Sequence, residues 1–159
     1  MDPVNTILEE EIRGQGVFVS AFTHSLDPKK RLTIPSQWRA QVGNPKSLYV
    51  LPDVRHKCLC VFPAGEIALR LKKMRDYSMA DDKARRFART LASQSDLVAW
   101  DSQGRIRVKD DLLRFADLED QVALVGAFDR FELWNPDNLK KAGDMDGTAM
   151  TEAAQYVGL

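Results

Sequence analysis

Leu26-Asp27-Pro28-Lys29-Lys30-Arg31-Leu32-Thr33-Ile34 is the stretch that decides the fold, because the chain contains it twice. The second copy begins 74 residues later and is Trp100-Asp101-Ser102-Gln103-Gly104-Arg105-Ile106-Arg107-Val108. Two further stretches repeat in the same order. Residues 48–51 correspond to residues 122–125, and residues 58–63 correspond to residues 130–135. Self-similarity at a fixed spacing predicts a duplicated structural unit.

Each copy predicts the same order of elements: an apolar strand, an Asp-x-x-x-Arg turn, a second strand, a short helical turn and two more strands. Residues 17–22 and 31–34 are rich in β-branched and aromatic side chains, which is typical of strands. Leu59 and Val61 lie on one face of their strand by its period of two, and residues 131 and 133 repeat that face. Strands this short cannot bury a core singly, so we expect the two copies to share one barrel.

The helical segments carry recognisable start and stop signals. Pro35-Ser36 before residues 37–42 and Gly43 predicts a two-turn helix with a serine cap and a glycine stop, and residues 110–115 are its weaker counterpart. Between the copies, residues 66–74 predict a helix. A second helix is expected after a Ser78 cap, because its apolar residues recur at helical spacing: Ala84, Phe87, Ala88, Leu91 and Ala92.

This organisation predicts five segments. They are an N-terminal extension (1–16), a first repeat (17–64), a helical connector (65–93), a second repeat (94–137) and a C-terminal helix and tail (138–159). The tail after Gly143 is rich in glycine, aspartate and alanine, and we expect it to be poorly ordered or dependent on a partner.

Composition excludes several classes of protein. The 159 residues are 44% hydrophobic and 29% charged, the balance of a globular protein, and no window approaches the roughly 18 apolar residues that a membrane helix needs. Three consecutive acids at residues 9–11 stand where a signal peptide would be apolar. With only two cysteines, we expect a cytoplasmic protein without disulfides.

The net charge of zero is an average over unlike segments. Residues 24–46 hold five cations against one acid, and residues 66–89 hold eight cations against four acids. Residues 96–120 hold four cations against seven acids, and both ends of the chain are acidic. The first half is therefore basic and the second half acidic, which is the first indication of function.

The Asp-x-x-x-Arg turns have two interpretations. Asp27 and Asp101 can accept backbone N–H groups two or more residues further on and fix the turn. Gly104 permits a positive φ, whereas a left-handed Lys30 at the same place costs about 1 kcal/mol. The arginine that follows either forms an Asp–Arg clasp confined to the turn or offers its forked donors to a guanine edge or a phosphate.

With these residues in view, the chain resembles the MraZ family of bacterial transcriptional regulators, which carry two AbrB-like (SpoVT/AbrB) modules. The matching stretches are residues 25–35, residues 101–105 and, most specifically, residues 122–134. The resemblance implies an α+β fold in which two tandem ββαββ repeats form a double-split β-barrel, joined by a helical connection. It also implies a ring-shaped homo-oligomer that binds short direct repeats in double-stranded DNA upstream of cell-division and cell-wall genes.

Carried over by position, the resemblance makes Arg31 the leading DNA contact, with Lys29 and Lys30 beside it. Arg105 is the candidate of the second copy, and Asp27, Asp101 and Gly104 structure the turns. Phosphates reward clustered cations, so we expect the basic first copy to contact DNA and the acidic second copy mainly to build the barrel and subunit contacts. Because zero net charge disfavours binding by one chain, several copies on a ring would act through avidity.

Other constellations favour ordinary structural roles. Cys58-x-Cys60 lacks a second Cys or His pair, so core packing is favoured over a metal site, and neither a metal nor a cofactor is expected. The adjacent pair His24-Ser25 lacks the elbow of a serine hydrolase, and the chain is predicted not to be an enzyme with a small-molecule substrate. The tryptophans favour core or interface packing, and the arginine face of the connector favours solvated surface. They are Trp38, Trp100 and Trp134, and Arg85, Arg86 and Arg89.

One rival function comes from another class: an AbrB-fold protein-interaction module of the antitoxin kind. A long partner-binding tail would favour that rival, and only eighteen residues follow Lys141 in this sequence. The sequence therefore favours a non-enzymatic DNA-binding regulator that is cytoplasmic and associated with the nucleoid, with no membrane partner.

Overall fold

The computed structural model describes residues 16–77 and 80–159. The strands in these ranges are β1 (Ala21–Ser25), β2 (Arg31–Thr33), β3 (Leu48–Pro52), β4 (Cys58–Pro63), β5 (Asp96–Val98), β6 (Arg105–Arg107), β7 (Gln121–Gly126) and β8 (Phe131–Trp134). The helices are α1 (Ser36–Arg39), α2 (Ala64–Arg75), α3 (Asp82–Gln94), α4 (Asp110–Phe115), α5 (Pro136–Ala142) and α6 (Gly147–Val157). Each repeat thus contains the predicted ββαββ order. Residues 1–15, which form nearly all of the predicted extension, lie outside the described residues.

Strands of both repeats alternate in one antiparallel sheet, in the order β1-β7-β8-β4-β3-β5. The counterparts in the two repeats are β1 and β5, β3 and β7, and β4 and β8. If each strand is replaced by its counterpart, the same order is obtained, read from the other edge of the sheet. The described sheet therefore has pseudo-twofold symmetry in its pairing, and each repeat places its first strand against the third strand of the other. The predicted repeat boundaries, 17–64 and 94–137, stay a prediction. They divide the sequence into repeats, whereas the strands of both repeats share one sheet.

The remaining two strands, β2 and β6, pair with each other and form a separate two-stranded ribbon. Among the described strands, β1 and β5 end the larger sheet as edges, so its hydrogen bonds do not close into a barrel. The mixed α+β class is as predicted. The structure has two antiparallel sheets in place of a closed barrel.

The core lies between the larger sheet and the ribbon, and the predicted strand faces supply it. Leu59 pairs with Leu133 and Val61 pairs with Phe131 across β4 and β8. These four side chains are fully buried, which confirms the predicted common face. The central pairing therefore joins the equivalent strands β4 and β8 of the two repeats in one apolar layer.

Aromatic rings of the first repeat complete this core. The Trp38 ring lies 4.6 Å from the ring of Phe131 and 6.1 Å from that of Phe18, measured between centroids. Its indole N–H donates to the backbone carbonyl of Val19 at 2.8 Å. Burial of such large rings contributes more to the core than any aliphatic residue of comparable exposure. Trp38 and Trp134 are buried and Trp100 packs against the core, as predicted.

Helix α1 corrects one prediction. It spans Ser36–Arg39, with Pro35 as its N-cap and no side-chain capping bond, so the predicted two-turn helix with a serine cap is wrong. The chain continues in tighter turns, because Gln41 N–H donates to Trp38 and Val42 N–H donates to Arg39. These i to i+3 bonds turn Val42 toward the core beside Trp38.

The connector and tail give one agreement and one correction. Helices α2 and α3 form the predicted helical connection, with Asp81 as the N-cap of α3 accepting from Ala84 N–H at 3.1 Å. The predicted cap Ser78 lies outside the described residues. The tail, which was expected to be poorly ordered or dependent on a partner, contains a helix: α6 spans Gly147–Val157 with Asp146 as N-cap and a left-handed Gly158 at its end. No helix in the described ranges is long and apolar enough to cross a membrane.

Candidate nucleic-acid interface

The two Asp-x-x-x-Arg turns have the same backbone geometry. Asp27 N–H donates to the carbonyl of Arg31 at 3.0 Å, and Lys30 N–H donates to the carbonyl of Asp27 at 2.8 Å. The second turn repeats both bonds, at 2.9 Å each, between Asp101, Gly104 and Arg105. In each turn the residue before the arginine has a positive φ, and the turn leads from a strand of the larger sheet to a strand of the ribbon.

The aspartate side chains accept backbone N–H groups within these turns. Asp27 accepts the backbone N–H groups of Lys29 at 2.9 Å and Arg31 at 2.8 Å. Asp101 accepts those of Gln103 at 2.9 Å and Arg105 at 3.0 Å. The N–H of Arg31, and then its guanidinium, holds the pKa of Asp27 below its usual value. The N–H of Arg105, followed by its guanidinium, lowers the pKa of Asp101 to about 2.

Each arginine also forms the clasp with its own aspartate. Arg31 Nε lies 2.6 Å from Asp27 Oδ2, and Arg105 Nε lies 2.9 Å from Asp101 Oδ2. The clasp is not confined to its turn, however, because Arg105 Nη1 also lies 3.8 Å from Asp27 Oδ2. The Asp–Arg pairs therefore fix two turns and also connect one repeat to the other.

Lys30 and Gly104 occupy equivalent left-handed positions, with φ of 59° and 78°. The turn type is therefore the same in both copies, and Lys30 has the strain that the sequence predicted. Lys30 Nζ lies 3.3 Å from Asp110 Oδ1, an exposed ion pair that offsets part of this cost. At Gly104 a Cβ atom would lie 2.6 Å from Arg39 Cζ, so the glycine also allows close packing of that guanidinium.

The structure brings the two predicted arginines onto one surface, the outward face of the β2–β6 ribbon. Arg31 pairs with Arg107, Leu32 with Ile106, and Thr33 with Arg105. Leu32 and Ile106 are fully buried, so by strand alternation the other four side chains lie on the opposite face. We call this face the ribbon face; it consists of Arg31, Thr33, Arg105 and Arg107. The antiparallel pairing places the two turns at opposite ends of the ribbon.

Sequence reasoning missed Arg107, although the signal was present. Arg105-Ile106-Arg107 alternates charged and apolar residues, which predicts two arginines on one face of a strand. Arg107 Nη2 donates to Asp110 Oδ1 at 2.8 Å. This bond and the neighbouring Lys30 lower the pKa of Asp110.

Carboxylates engage the predicted cations to different degrees. Arg105 uses Nε and both terminal nitrogens on Asp101 and Asp27, and its side chain is 23% exposed. Arg31 uses only Nε among the contacts of the described residues, and its side chain is 30% exposed. Lys29 has an exposed side chain and no ion pair within residues 16–77 and 80–159. Arg31 and Lys29 are therefore the cations best placed to accept a new anionic partner.

The arginines of the connector lie away from the ribbon face, on α3, and all three are exposed. Arg86 Nη1 is 4.0 Å from Asp82 of the same helix. The exposure of Arg85, Arg86 and Arg89 agrees with the solvated surface expected from the sequence. An exposed ion pair such as that of Arg86 with Asp82 contributes little to stability.

The duplicated α+β fold and its cationic ribbon define a class of protein, a tandem-repeat protein whose arginines meet on one face of a two-stranded ribbon. Comparison with known proteins identifies the family. A family model described as "MraZ protein, putative antitoxin-like" matches residues 91–153. The transcriptional regulator MraZ of Corynebacterium jeikeium is 35% identical over 122 residues, 77% of this chain and 83% of that protein.

Two further relatives cover more of the chain. The transcriptional regulator MraZ of Alkaliphilus metalliredigens is 30% identical over 138 residues, 87% of this chain and 94% of the relative. That of Clostridium acetobutylicum is 28% identical over 145 residues, 90% of this chain and the whole of the relative. The chain belongs to the MraZ family of transcriptional regulators, which is not a family of enzymes.

Proposed function

We propose that this protein regulates transcription by binding double-stranded DNA through the ribbon face and its two turns. The observation that carries the proposal is the position of three arginines on the outward side of an antiparallel two-stranded ribbon. A two-stranded ribbon fits the major groove, where arginine donates bidentately to guanine O6 and N7. Lys29 and Lys30, at one end of the ribbon, are placed to contact phosphates.

Within this surface, Arg31 is the leading base contact. Asp27 holds its Nε at 2.6 Å, which orients the guanidinium while leaving the two terminal nitrogens for a base edge. Arg105 is more fully engaged by carboxylates, so its part is mainly to position the ribbon. The ranking of Arg31 over Arg105 thus rests on local hydrogen bonding as well as on the acidic second half of the chain.

The binding is proposed to depend on self-association into a ring. The ribbon-face cations are partly neutralised by Asp27, Asp101 and Asp110, so one chain offers DNA few unpaired charges. Several copies would contact successive direct repeats spaced by about one helical turn, ~10 bp, and gain affinity by avidity. The exposed apolar side chains of the helical connector support such contacts; they are Leu71, Tyr77 and Phe87.

The family resemblance supplies the proposed targets. They are short direct repeats in promoters of cell-division and cell-wall genes, and the protein is proposed to act in the cytoplasm at the nucleoid. The two antiparallel sheets are proposed to be the two parts of the double-split barrel that the resemblance implies. The proposed targets and location rest on the family membership, and the proposed barrel rests on the family membership together with the α+β fold.

The decisive test is DNA binding by the full chain at two salt concentrations. Fluorescence anisotropy with promoter DNA of the protein's own gene cluster is expected to show binding that weakens as salt increases, because phosphate contacts release counterions. Arg31→Ala is expected to abolish it. Lys140→Ala removes one exposed cation from α5, far from the ribbon in the chain, and is the matched control. No binding at low salt, or binding unaffected by Arg31→Ala, would remove the proposal.

A protein-interaction module remains the second candidate function, and the tail helix favours it. Met150, Tyr156 and Val157 of α6 are exposed apolar side chains on a helix that has no buried residue. An exposed apolar helix surface is typical of a protein-binding site. Removing residues 147–159 is expected to leave DNA binding unchanged if the ribbon is the functional surface. The rival function would be favoured by two results together: the whole chain does not bind DNA, and removal of residues 147–159 abolishes binding of a partner protein.

A further inference from the structure

Four side chains with metal-binding chemistry meet on the side of the larger sheet that faces away from the ribbon. They are Asp53 in the turn after β3, Cys58 and Cys60 in β4, and Glu132 in β8. One ligand atom from each, two sulfurs and two carboxylate oxygens, lies within 4.8 Å of all the others. We call this group the Cys–carboxylate cluster. The sequence alone showed only its two cysteines.

Backbone geometry fixes each member of the cluster. Cys58 and Cys60 lie two residues apart in one strand and therefore on the same face. Glu132 is directly opposite Cys60 in the β4–β8 register. Asp53 is held by its own turn, since its Oδ1 accepts the N–H groups of Arg55 at 2.7 Å and His56 at 2.8 Å. The four ligands are thus brought together by three segments that the sheet already aligns.

The distances are close to those of a tetrahedral site. Zn–S bonds of about 2.3 Å and Zn–O bonds of about 2.0–2.2 Å separate neighbouring sulfur and oxygen ligands by about 3.6 Å. Cys60 Sγ lies 3.3 Å from Asp53 Oδ2, which is already slightly closer than this ligand separation. The remaining pairs, at up to 4.8 Å, need movements of about 1 Å that side-chain torsions can supply.

The electrostatics of the cluster favour a cation. The two carboxylates place negatively charged oxygen atoms beside the two buried sulfurs. A divalent cation would neutralise this charge and would let both sulfurs bind as thiolates, with their protons released to solvent.

Neighbouring side chains supply the outer contacts of such a site. Trp134 Nε1 donates to Glu132 Oε1 at 3.0 Å, and Arg130 Nη2 lies 3.7 Å from Glu132 Oε2. These contacts orient the carboxylate and place a guanidinium beside a ligand set that would carry net negative charge with the metal bound. Partners of this kind hold first ligands in place in metal proteins.

We propose that Asp53, Cys58, Cys60 and Glu132 bind a divalent, thiophilic cation, with Zn²⁺ as the metal that this ligand set suits best. Two thiolates select a soft or borderline cation over Mg²⁺ and Ca²⁺, and four protein ligands leave no open position for catalysis. The site is structural: it connects the β3–β4 turn to β8 and therefore joins the two repeats. It does not depend on the proposed DNA binding, because it lies outside the ribbon face.

The alternative for the same residues is a buried thiol pair that only packs. Cys58 forms a small apolar cluster with Ala123 and Trp134 on this side of the sheet, and Asp53 accepts the Cys60 thiol. That arrangement needs no cation and predicts no metal binding. The two alternatives therefore differ in a direct measurement.

The test uses the tag-free full chain, reduced and treated with a chelator, titrated with Co²⁺ as a spectroscopic probe for Zn²⁺. One Co²⁺ per chain is expected, with thiolate-to-cobalt charge-transfer absorption and the visible bands of tetrahedral Co²⁺. Zn²⁺ is expected to remove both signals and to raise the midpoint of thermal unfolding. Absence of these bands in excess Co²⁺, with no Zn²⁺ effect on unfolding, would overturn the proposal.

Variants keep the test informative if folding is sensitive. Glu132→Gln keeps an oxygen for the Trp134 N–H and is expected to fold while losing roughly 10–100-fold or more in metal affinity, the loss typical even of outer contacts. Glu152→Gln, an exposed residue of α6, is the matched control and is expected to bind as the unchanged chain does. The double variant Cys58→Ser with Cys60→Ser is expected to lose the charge-transfer band. Unchanged metal binding by it or by Glu132→Gln would contradict the assignment.

Discussion

Asp27 of the first repeat contacts Arg105 of the second, with Asp27 Oδ2 lying 3.8 Å from Arg105 Nη1. The same oxygen accepts Arg31 Nε at 2.6 Å. One carboxylate is therefore shared by the equivalent arginines of both repeats. It ties together the two strands of the ribbon, which in this region are joined by only three residue pairs.

The clasps predict an acid-sensitive contribution to stability that Asp101→Asn removes. The folded-state pKa of Asp101, about 2, is below its ordinary value, so its stabilising effect is fully present above about pH 4 and is lost as pH falls toward 2. Thermal unfolding midpoints of the unchanged chain are expected to fall across this window, and those of Asp101→Asn to fall less. Asp144→Asn, an exposed residue between α5 and α6, is the control; an equal flattening by it would contradict the assignment.

Three glycine variants separate backbone strain from packing. Gly104→Ala is expected to destabilise by about 1–3 kcal/mol, because the alanine must adopt a left-handed φ and displace the Arg39 guanidinium. Gly158→Ala has the left-handed φ without a neighbour within 4 Å, so it should cost only about 1–2 kcal/mol. Gly147→Ala meets neither obstacle and should be neutral or slightly stabilising. Urea unfolding measures all three, and an effect of Gly104→Ala no larger than that of Gly158→Ala would show that the Arg39 contact is unimportant.

Lys30→Gly is expected to move stability and DNA affinity in different directions. Glycine removes about 1 kcal/mol of left-handed strain, while the exposed Lys30–Asp110 pair contributes only about 0–1 kcal/mol, so the variant should be as stable as the unchanged chain or more so. Its DNA affinity should fall because one phosphate-contacting cation is lost. Lys29→Ala is the comparison, with the same loss of charge and no gain in stability. A Lys30→Gly chain that binds DNA normally would exclude this lysine from the interface.

Arg31→Ala is expected to have the larger effect on DNA binding, and Arg105→Ala the larger effect on stability. The two terminal nitrogens of Arg31 have no carboxylate partner among the described contacts, so its loss should abolish DNA binding. Arg105 holds Asp101 and Asp27, so its loss should weaken binding mildly and lower the unfolding midpoint more. Anisotropy and thermal unfolding on the same samples give both quantities. Stronger loss of binding with Arg105→Ala would reverse the assigned roles.

Two phenylalanines of the same hairpin test the core. Phe131 is fully buried against Trp38 and Phe18, and Phe131→Ala is expected to cost about 3–5 kcal/mol of unfolding free energy. Phe128, three residues earlier, is 70% exposed, and Phe128→Ala should change stability by less than about 0.5 kcal/mol. Denaturant unfolding distinguishes the two. Equal effects would mean that Phe128 is also buried, as in a self-association contact.

Local pattern predicted most elements because strand and helix periodicity is written in neighbouring residues. The common face of Leu59, Val61, Phe131 and Leu133 followed from the period of two, and α3 followed from its apolar spacing. The exchange of β1 and β5 between the repeats did not follow, because equivalent strands present the same pattern to either partner. The helix α6 was missed although Asp146 and Gly158 are ordinary start and stop signals.

The candidate sites were predictable to unequal degrees. Both Asp–Arg turns were visible in the repeat itself, and the structure adds that they lie on one ribbon. The local alternation of residues 105–107 already indicated that Arg107 shares a strand face with Arg105, but its position opposite Arg31 required the pairing of β2 with β6. The Cys–carboxylate cluster could not be predicted from the sequence alone. Only the β4–β8 register brings Glu132 to the two cysteines, and only the turn after β3 brings Asp53 to them.

Pseudo-twofold pairing within a single chain gives the ribbon a direction. Two identical chains would present identical tips at both ends and would match an inverted DNA site. Here one tip carries Lys29 and Lys30 while the other carries Gln103 and Gly104, so reversing the molecule on a duplex exchanges a cationic tip for a neutral one. Under the proposed function, duplication followed by divergence thus lets the protein distinguish the two orientations of its site, which is what head-to-tail sites in a promoter require.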